Sequence, residues 1–183
     1  LVFYAFSIQI YCDFSGYTDM ALALGILLKV NLPLNFNSPY SATSIRDFWR
    51  RWHMTLSRWL RDYLYIPLGG SKSGFAQMIF AAMATMLLGG LWHGAAWTFI
   101  VWGGLHGLFV VTEHFLDNKI VLTNIPSWIR TLVVVHIVGA TWIFFRAPTF
   151  SRAWDVIIGF TIPGDIAMLS SAPLAPILII AAF

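Results

Sequence analysis

The chain has 183 residues, 58% of them hydrophobic and 10% charged, with 11 basic and 8 acidic side chains and a net charge of +3. A water-soluble domain runs nearer one quarter charged, and the mean hydropathy is +0.74. That balance excludes a soluble enzyme, a disordered chain and, with Cys12 as the lone cysteine, a disulfide scaffold; it leaves an all-α, polytopic helical membrane protein.

In chain order, Leu1 to Tyr11 reads as the end of one membrane helix. A polar stretch from Asp13 to Asp19 follows, and Met20 to Val30 is apolar but spans only about 16 Å as a helix, too short to cross alone, so it reads as re-entrant or as continuous with a tilted neighbour. Asn31 to Tyr40 holds two prolines and three asparagines and reads as a loop. Ser44 to Ile66 is expected to form a single amphipathic helix. Ile45, Phe48, Trp49, Trp52, Leu56, Trp59, Leu60 and Tyr63 recur at spacings of three and four. Arg46, Arg50, His53, Ser57 and Arg61 take another stripe. Its charge places it flat at the membrane interface or in a protein-lined cavity.

Phe75 to Leu91, Ala95 to Val111 and Ile129 to Phe145 read as three membrane helices. Ser151 to Phe160 reads as a short interfacial helix, and Thr161 to Pro176 as a loop. The chain opens and closes inside hydrophobic runs (Leu1 to Ile10, Leu174 to Phe183), neither long enough to span. The expectation is therefore one membrane domain, residues 1–183, truncated at both ends.

The charge is uneven. Between Arg46 and Asp62 five arginines face two aspartates, and this one segment carries the whole net charge. The positive-inside tendency puts it near the cytoplasmic face. It suits anionic groups such as lipid headgroups or donor phosphates. A nucleic-acid partner does not fit a chain embedded in lipid.

Five histidines are the candidates for chemistry. His93 stands between Gly90 and Gly94 at a junction of apolar runs, where an ionisable group at membrane depth calls for a reason. A neutral imidazole there could take the proton of a hydroxyl attacking an acyl carbonyl; the plainer reading is a core histidine bonded to a neighbouring carbonyl. His53 lies one turn from Arg50 and Ser57, and the arginines should depress its pKa; an interfacial histidine without a role is the alternative. His106, His114 and His136 read as structural. On one helix His93 and His106 would face apart, by about 220°.

Trp49, Trp52, Trp59, Trp92, Trp97 and Trp102 are expected to cluster around His93 and His53, either as interface anchors or as the lining of an apolar tunnel. Asp13 could contact a cation or polar substrate, with helix capping as the simpler role. No histidine pair has metal-ligand spacing, so no metal centre is expected.

Trp49-Arg50-Arg51-Trp52-His53, the run Leu60 to Gly70 and Gly89-Gly90-Leu91-Trp92-His93-Gly94-Ala95 together resemble the membrane-bound O-acyltransferase family. Tyr11 to Asp19 and Leu32-Pro33-Leu34-Asn35-Phe36 are similar to its bacterial branch, which includes alginate acetylation and teichoic acid D-alanylation. The likeness runs from about residue 4 to 150. It implies helices around a funnel and tunnel joining the two membrane sides, in a protein two to three times this length. His93 matches the family's invariant histidine and His53 its second. On this resemblance Trp49, Arg50, Trp52, Arg61, Trp92, Trp97 and Asp13 become candidate tunnel or substrate residues.

The resemblance also implies an acetyl-CoA or other acyl thioester donor entering from the cytoplasm and no bound cofactor. The acceptor would be a hydroxyl of an exported, alginate-like polysaccharide, reached directly or through a periplasmic SGNH-like acetyltransferase. The setting would be the bacterial inner membrane. A transporter, or a subunit that docks a separate acyltransferase, are the competing functions; a transporter should carry inverted repeats, and none is visible.

Overall fold

A computed structural model describes residues 2–117 and 125–161, and all regular structure among them is helical. The order is α1 (Val2–Leu27), a single 3₁₀ turn (Pro39–Ser41), α2 (Ile45–Arg51), α3 (Met54–Leu60), a wide π-type turn (Arg61–Tyr65), α4 (Phe75–His93), α5 (Trp97–Asp117), α6 (Ser127–Arg146) and α7 (Phe150–Thr161). Helices α4, α5 and α6 are long and apolar enough to cross a membrane. About a third or less of each span is buried by the rest of the chain (33%, 28% and 28%), so most of their apolar surface faces outward, as lipid-exposed helices require. Beyond residue 161, the expected loop and the last apolar run lie outside the described residues.

Two expectations change. The first helix does not stop at Tyr11: α1 runs unbroken through Asp13 and Asp19, both exposed. The polar stretch is absorbed because the hydroxyls of Ser15 and Thr18 donate back to the carbonyls of Cys12 and Ser15 (3.4 and 2.9 Å).

The segment Ser44 to Ile66 is not one helix. It breaks at Trp52 and His53: Trp52 is extended (φ −100°, ψ 130°) and His53 is left-handed (φ 42°, ψ 55°). The gain is tertiary. Trp52 turns inward to 4% exposure and stacks on Phe48 (5.6 Å between centroids). The loop after α1 replaces the lost helical bonds, with Asn37 N–H donating to Arg51 O (3.0 Å) and Met54 N–H to Asn35 O (2.9 Å). Periodicity cannot register a bond to a loop so far upstream.

As the two separate apolar runs imply, His93 and His106 lie on different helices, α4 and α5. These pack as a tight hairpin through Gly90 and Gly103. A Cβ on Gly90 would strike the Phe99 carbonyl oxygen, and one on Gly103 that of Met86. Small residues at such a contact let membrane helices approach to backbone distance. The core between α1, α2, α5 and α6 is largely aromatic, built on Phe14, Phe48, Trp52, Trp102 and Trp142.

The N-terminus of α2 is secured twice. Ser44 accepts from Asp47 N–H (3.0 Å), completing a capping arrangement. Glu113 of α5 accepts from the N–H groups of Ile45 (2.5 Å) and Arg46 (3.3 Å) and pairs with the Arg46 guanidinium (2.6 Å). A carboxylate on a helix N-terminus is favoured by the exposed amides and the helix dipole. The basic segment is thereby fixed to the membrane hairpin.

Candidate active site

His93 is the last residue of α4. Gly94 follows, where a Cβ would sit 2.7 Å from the Phe99 ring, so the chain turns tightly into α5. That turn encloses the His93 imidazole in aromatic rings: Trp92 (5.0 Å between centroids), Phe145 (5.1 Å), Trp102 (5.4 Å) and Phe99 (6.3 Å). The ring is half-buried. Among the described residues neither of its nitrogens has a hydrogen-bond partner. Buried indole N–H groups of Trp102 and Trp142 are likewise without an acceptor there.

His53 approaches from the break between α2 and α3. Its ring meets Phe14 of α1 edge-on (4.8 Å) and Trp92 (6.2 Å), so Trp92 is a neighbour to both candidate histidines. The Asn35 side chain bonds its Nδ1 (3.1 Å). Burial pushes the His53 pKa down to about 4, with a smaller contribution from charge on nearby His93. The expected cause, the flanking arginines, is not the one found: Arg51 is paired with Asp47 (2.9 Å) and Arg50 is exposed.

The other sequence candidates scatter. Trp52 lies in the core. Trp49 stands one ring further from His93, against Trp102 (5.8 Å), with its indole turned to His106. Trp97 is 72% exposed, and Trp59, 56% exposed, packs on Tyr63, so neither joins the expected cluster. Arg61 is exposed and pairs with adjacent Asp62 (2.7 Å). Asp13 is exposed, and it is Phe14, the next residue, that meets His53. Arg50 and Arg58 remain as exposed cations without an ion pair among the described residues. Sequence reasoning missed Asn35, Phe14 and Phe145. Asn35 stands in a proline-bounded loop and in the run Leu32 to Phe36 that carries the family resemblance, but its partner His53 is 18 residues away.

His106 is fully buried, and both ring nitrogens are used. The Trp49 indole N–H donates to Nδ1 (3.3 Å), so Nε2 carries the proton and donates to Thr141 Oγ1 (2.9 Å), whose hydroxyl donates to Val138 O (2.7 Å). His136 is bonded to the Tyr4 hydroxyl and to Leu132 O. Among the described residues no cluster of His, Cys, Asp or Glu could hold a metal ion.

What the arrangement offers is one partly open imidazole whose nitrogens are unbonded among the described residues, a second held beside it, and a wall of aromatic rings. A neutral imidazole in such a setting can accept a proton.

Comparison with known proteins gives a consistent picture. The family model described as MBOAT, membrane-bound O-acyltransferase family, matches residues 1–162. A peptidoglycan O-acetyltransferase of Helicobacter pylori is 44% identical over 158 residues, covering 85% of this chain and 30% of that protein. A probable alginate O-acetylase AlgI of Azotobacter vinelandii is 46% identical over 164 residues, 88% of this chain and 32% of its own. A teichoic acid D-alanyltransferase of Streptococcus thermophilus is 32% identical over 126 residues, 64% of this chain and 30% of its own. The chain thus spans about 30% of the length of the curated relatives it matches.

Proposed function

The chain belongs to the membrane-bound O-acyltransferase family, and from that premise we propose that it carries the histidines at which an acetyl group passes from a cytoplasmic thioester, acetyl-CoA or another acyl thioester, to a hydroxyl of an exported polysaccharide. The observation that carries the reading is the His93 imidazole: partly open, without a hydrogen-bond partner among the described residues, walled by Trp92, Trp102, Phe145 and Phe99, and adjacent to a second histidine. The relatives' names support the substrate class, since each denotes acyl transfer to a cell-surface or exported polymer.

In this reaction the acceptor hydroxyl oxygen attacks the thioester carbonyl carbon while its proton passes to His93. The carbon–sulfur bond then breaks, and the imidazolium returns the proton to the leaving thiolate. The products are an ester and a free thiol. General-base help of this kind contributes about 10²–10⁴ in rate. Holding both reactants in line in a dry passage contributes further, roughly 7–11 kcal/mol at the upper limit of oriented reactions. Arg50 and Arg58, exposed on the basic segment and without a salt bridge among the described residues, attract the donor's phosphates at the cytoplasmic mouth of an inner-membrane protein. The hydroxyl belongs to an alginate-like polymer or to a periplasmic SGNH-like acetyltransferase that passes the acetyl group on.

The test uses the full-length protein in membranes with acetyl-CoA and the polymer. His93→Ala should abolish thiol release and polymer acetylation while the protein remains folded and inserted. Acetate content equal to that of the unaltered protein would overturn the role of His93.

A further inference from the structure

The loop after α1 decides which nitrogen of His53 carries the proton. Asn35 Oδ1 has three neighbours: Thr55 Oγ1 at 2.9 Å, the Thr55 backbone nitrogen at 3.3 Å and His53 Nδ1 at 3.1 Å. The two ends of an amide side chain have nearly the same shape, and only the hydrogen-bond network tells them apart. Here the network is decisive, because a backbone N–H can only donate. The atom facing Thr55 N–H is therefore the carbonyl oxygen.

That same oxygen faces His53 Nδ1. Two lone pairs at 3.1 Å would repel, so Nδ1 bears the proton and donates. Thr55 Oγ1, 3.4 Å from Nδ1, gives its own proton to Asn35 and leaves a lone pair towards the ring. In a neutral imidazole with its proton on Nδ1, Nε2 is an acceptor. Among the described residues nothing donates to it.

The anchor is firm. The backbone carbonyl of Asn35 accepts from Met54 N–H (2.9 Å), so loop and break are joined on both sides of the His53 ring. These bonds also hold His53 in its left-handed backbone conformation, which persists only when its surroundings over-determine it.

We propose that Asn35 is a positioning residue for the acyl transfer: it holds His53 as the Nδ1–H tautomer and so presents Nε2 as a hydrogen-bond acceptor to the hydroxyl-bearing substrate beside His93. This rests on the reading of His93 and His53 as the reaction site. It narrows the role of His53. With Nε2 unprotonated, His53 cannot donate to the thioester carbonyl; it grips the attacking alcohol. The donor thioester must find its hydrogen bonds elsewhere.

The experiment has two arms on the full-length protein in lipid. The first is the ¹⁵N spectrum of histidine-labelled protein, with His53 assigned by its loss in His53→Gln. The expected signature is a protonated Nδ1 and an unprotonated Nε2; a protonated Nε2 in the unaltered protein would overturn the proposal, and this needs no folded Asn35 variant. The second is Asn35→Leu. It should give a mixture of tautomers and raise KM for the hydroxyl acceptor about 3- to 10-fold, the loss of one net hydrogen bond, with KM for acetyl-CoA unchanged. Unchanged tautomer and unchanged acceptor KM would also overturn it. The spectrum reads the tautomer whether or not His93→Ala abolishes acetylation, so failure of the reaction-site reading and failure of the Asn35 assignment are told apart.

Discussion

His93 and His106 share a neighbour and little else. The Trp102 ring lies 5.4 Å from one imidazole and 4.9 Å from the other. His106 is sealed in the core, with one ring nitrogen receiving from α2 and the other donating to α6. His93 sits at the turn of the α4–α5 hairpin, enclosed by rings and bonded by neither nitrogen to any described residue. Burial and the fate of the nitrogens both separate the two: His106 is fully enclosed with both nitrogens bonded, and His93 is half-buried with neither nitrogen bonded among the described residues. A buried polar group costs free energy unless it is bonded. The His106 network satisfies that condition internally, whereas His93 is left for a group that arrives from outside.

The sharpest way to break this contrast is to exchange the consequences of the two sites. His93→Gln keeps a polar side chain of comparable size but cannot take up a proton. Acetyl transfer by the full-length protein should fall about 10²–10⁴-fold, with the thermal midpoint in detergent nearly unchanged. His106→Ala should do the reverse. It opens a cavity and leaves the Trp49 N–H and the Thr141 hydroxyl short of a partner, costing roughly 2–5 kcal/mol of stability. Its thermal midpoint should drop clearly, and turnover per folded molecule should fall far less than in His93→Gln. A stable His106→Ala, or a His93→Gln that unfolds, would erase the distinction.

The same contrast shows what one-dimensional pattern can carry. The spans expected at Phe75 to Leu91, Ala95 to Val111 and Ile129 to Phe145 correspond to α4, α5 and α6, because hydropathy over some twenty residues is a local property. His93 stood out for a local reason too, its glycine neighbours at a junction of two runs. The break at Trp52–His53 did not. The helical stripe there is genuine, but burying Trp52 and bonding to residues 35 and 37 outweigh two turns of helix continuity. Asn35 stayed hidden for the same reason: its meaning comes from Thr55 and His53, which only folding brings to it. The expected tryptophan cluster was half right. Trp92 and Trp102 surround His93, while Trp97 and Trp59 face outward, since composition counts rings without saying which way they turn.

A smaller effect sharpens the comparison through the scaffold. Gly103 lets α5 approach α4 so closely that an added Cβ would meet the Met86 carbonyl oxygen, and the Gly90 Cα at 3.3 Å. Gly103 neighbours Trp102, the ring between the two histidines. Gly103→Leu must push the helices apart, at roughly 1–3 kcal/mol for an overpacked contact. Because His93 ends α4 while His106 is held from α2 and α6, the displacement should fall on His93. Activity should decrease more than stability does, and Gly103→Ala should sit between the variant and the unaltered protein. Equal proportional losses in both would mean that the hairpin is only a scaffold.

The least effect comes from protons. His53 titrates near 6.5 when unfolded, but burial, aided by charge on His93, lowers it to about 4 in the folded protein. Between these values the unfolded chain binds a proton that the folded one refuses. Stability is therefore full above pH 6.5 and is lost as pH falls through the window towards 4, by at most about 1.4 kcal/mol per pH unit from this group. Other histidines contribute slopes of their own, so the informative quantity is a difference. Thermal midpoints of the full-length protein and of His53→Gln should run parallel above pH 6.5 and converge or cross below it, as the variant is spared the penalty. Parallel curves down to pH 4.5 would mean that the folded protein takes up the proton on His53 as readily as the unfolded chain does, and that the enclosure of its ring by Phe14 and Trp92 does not withdraw it from water.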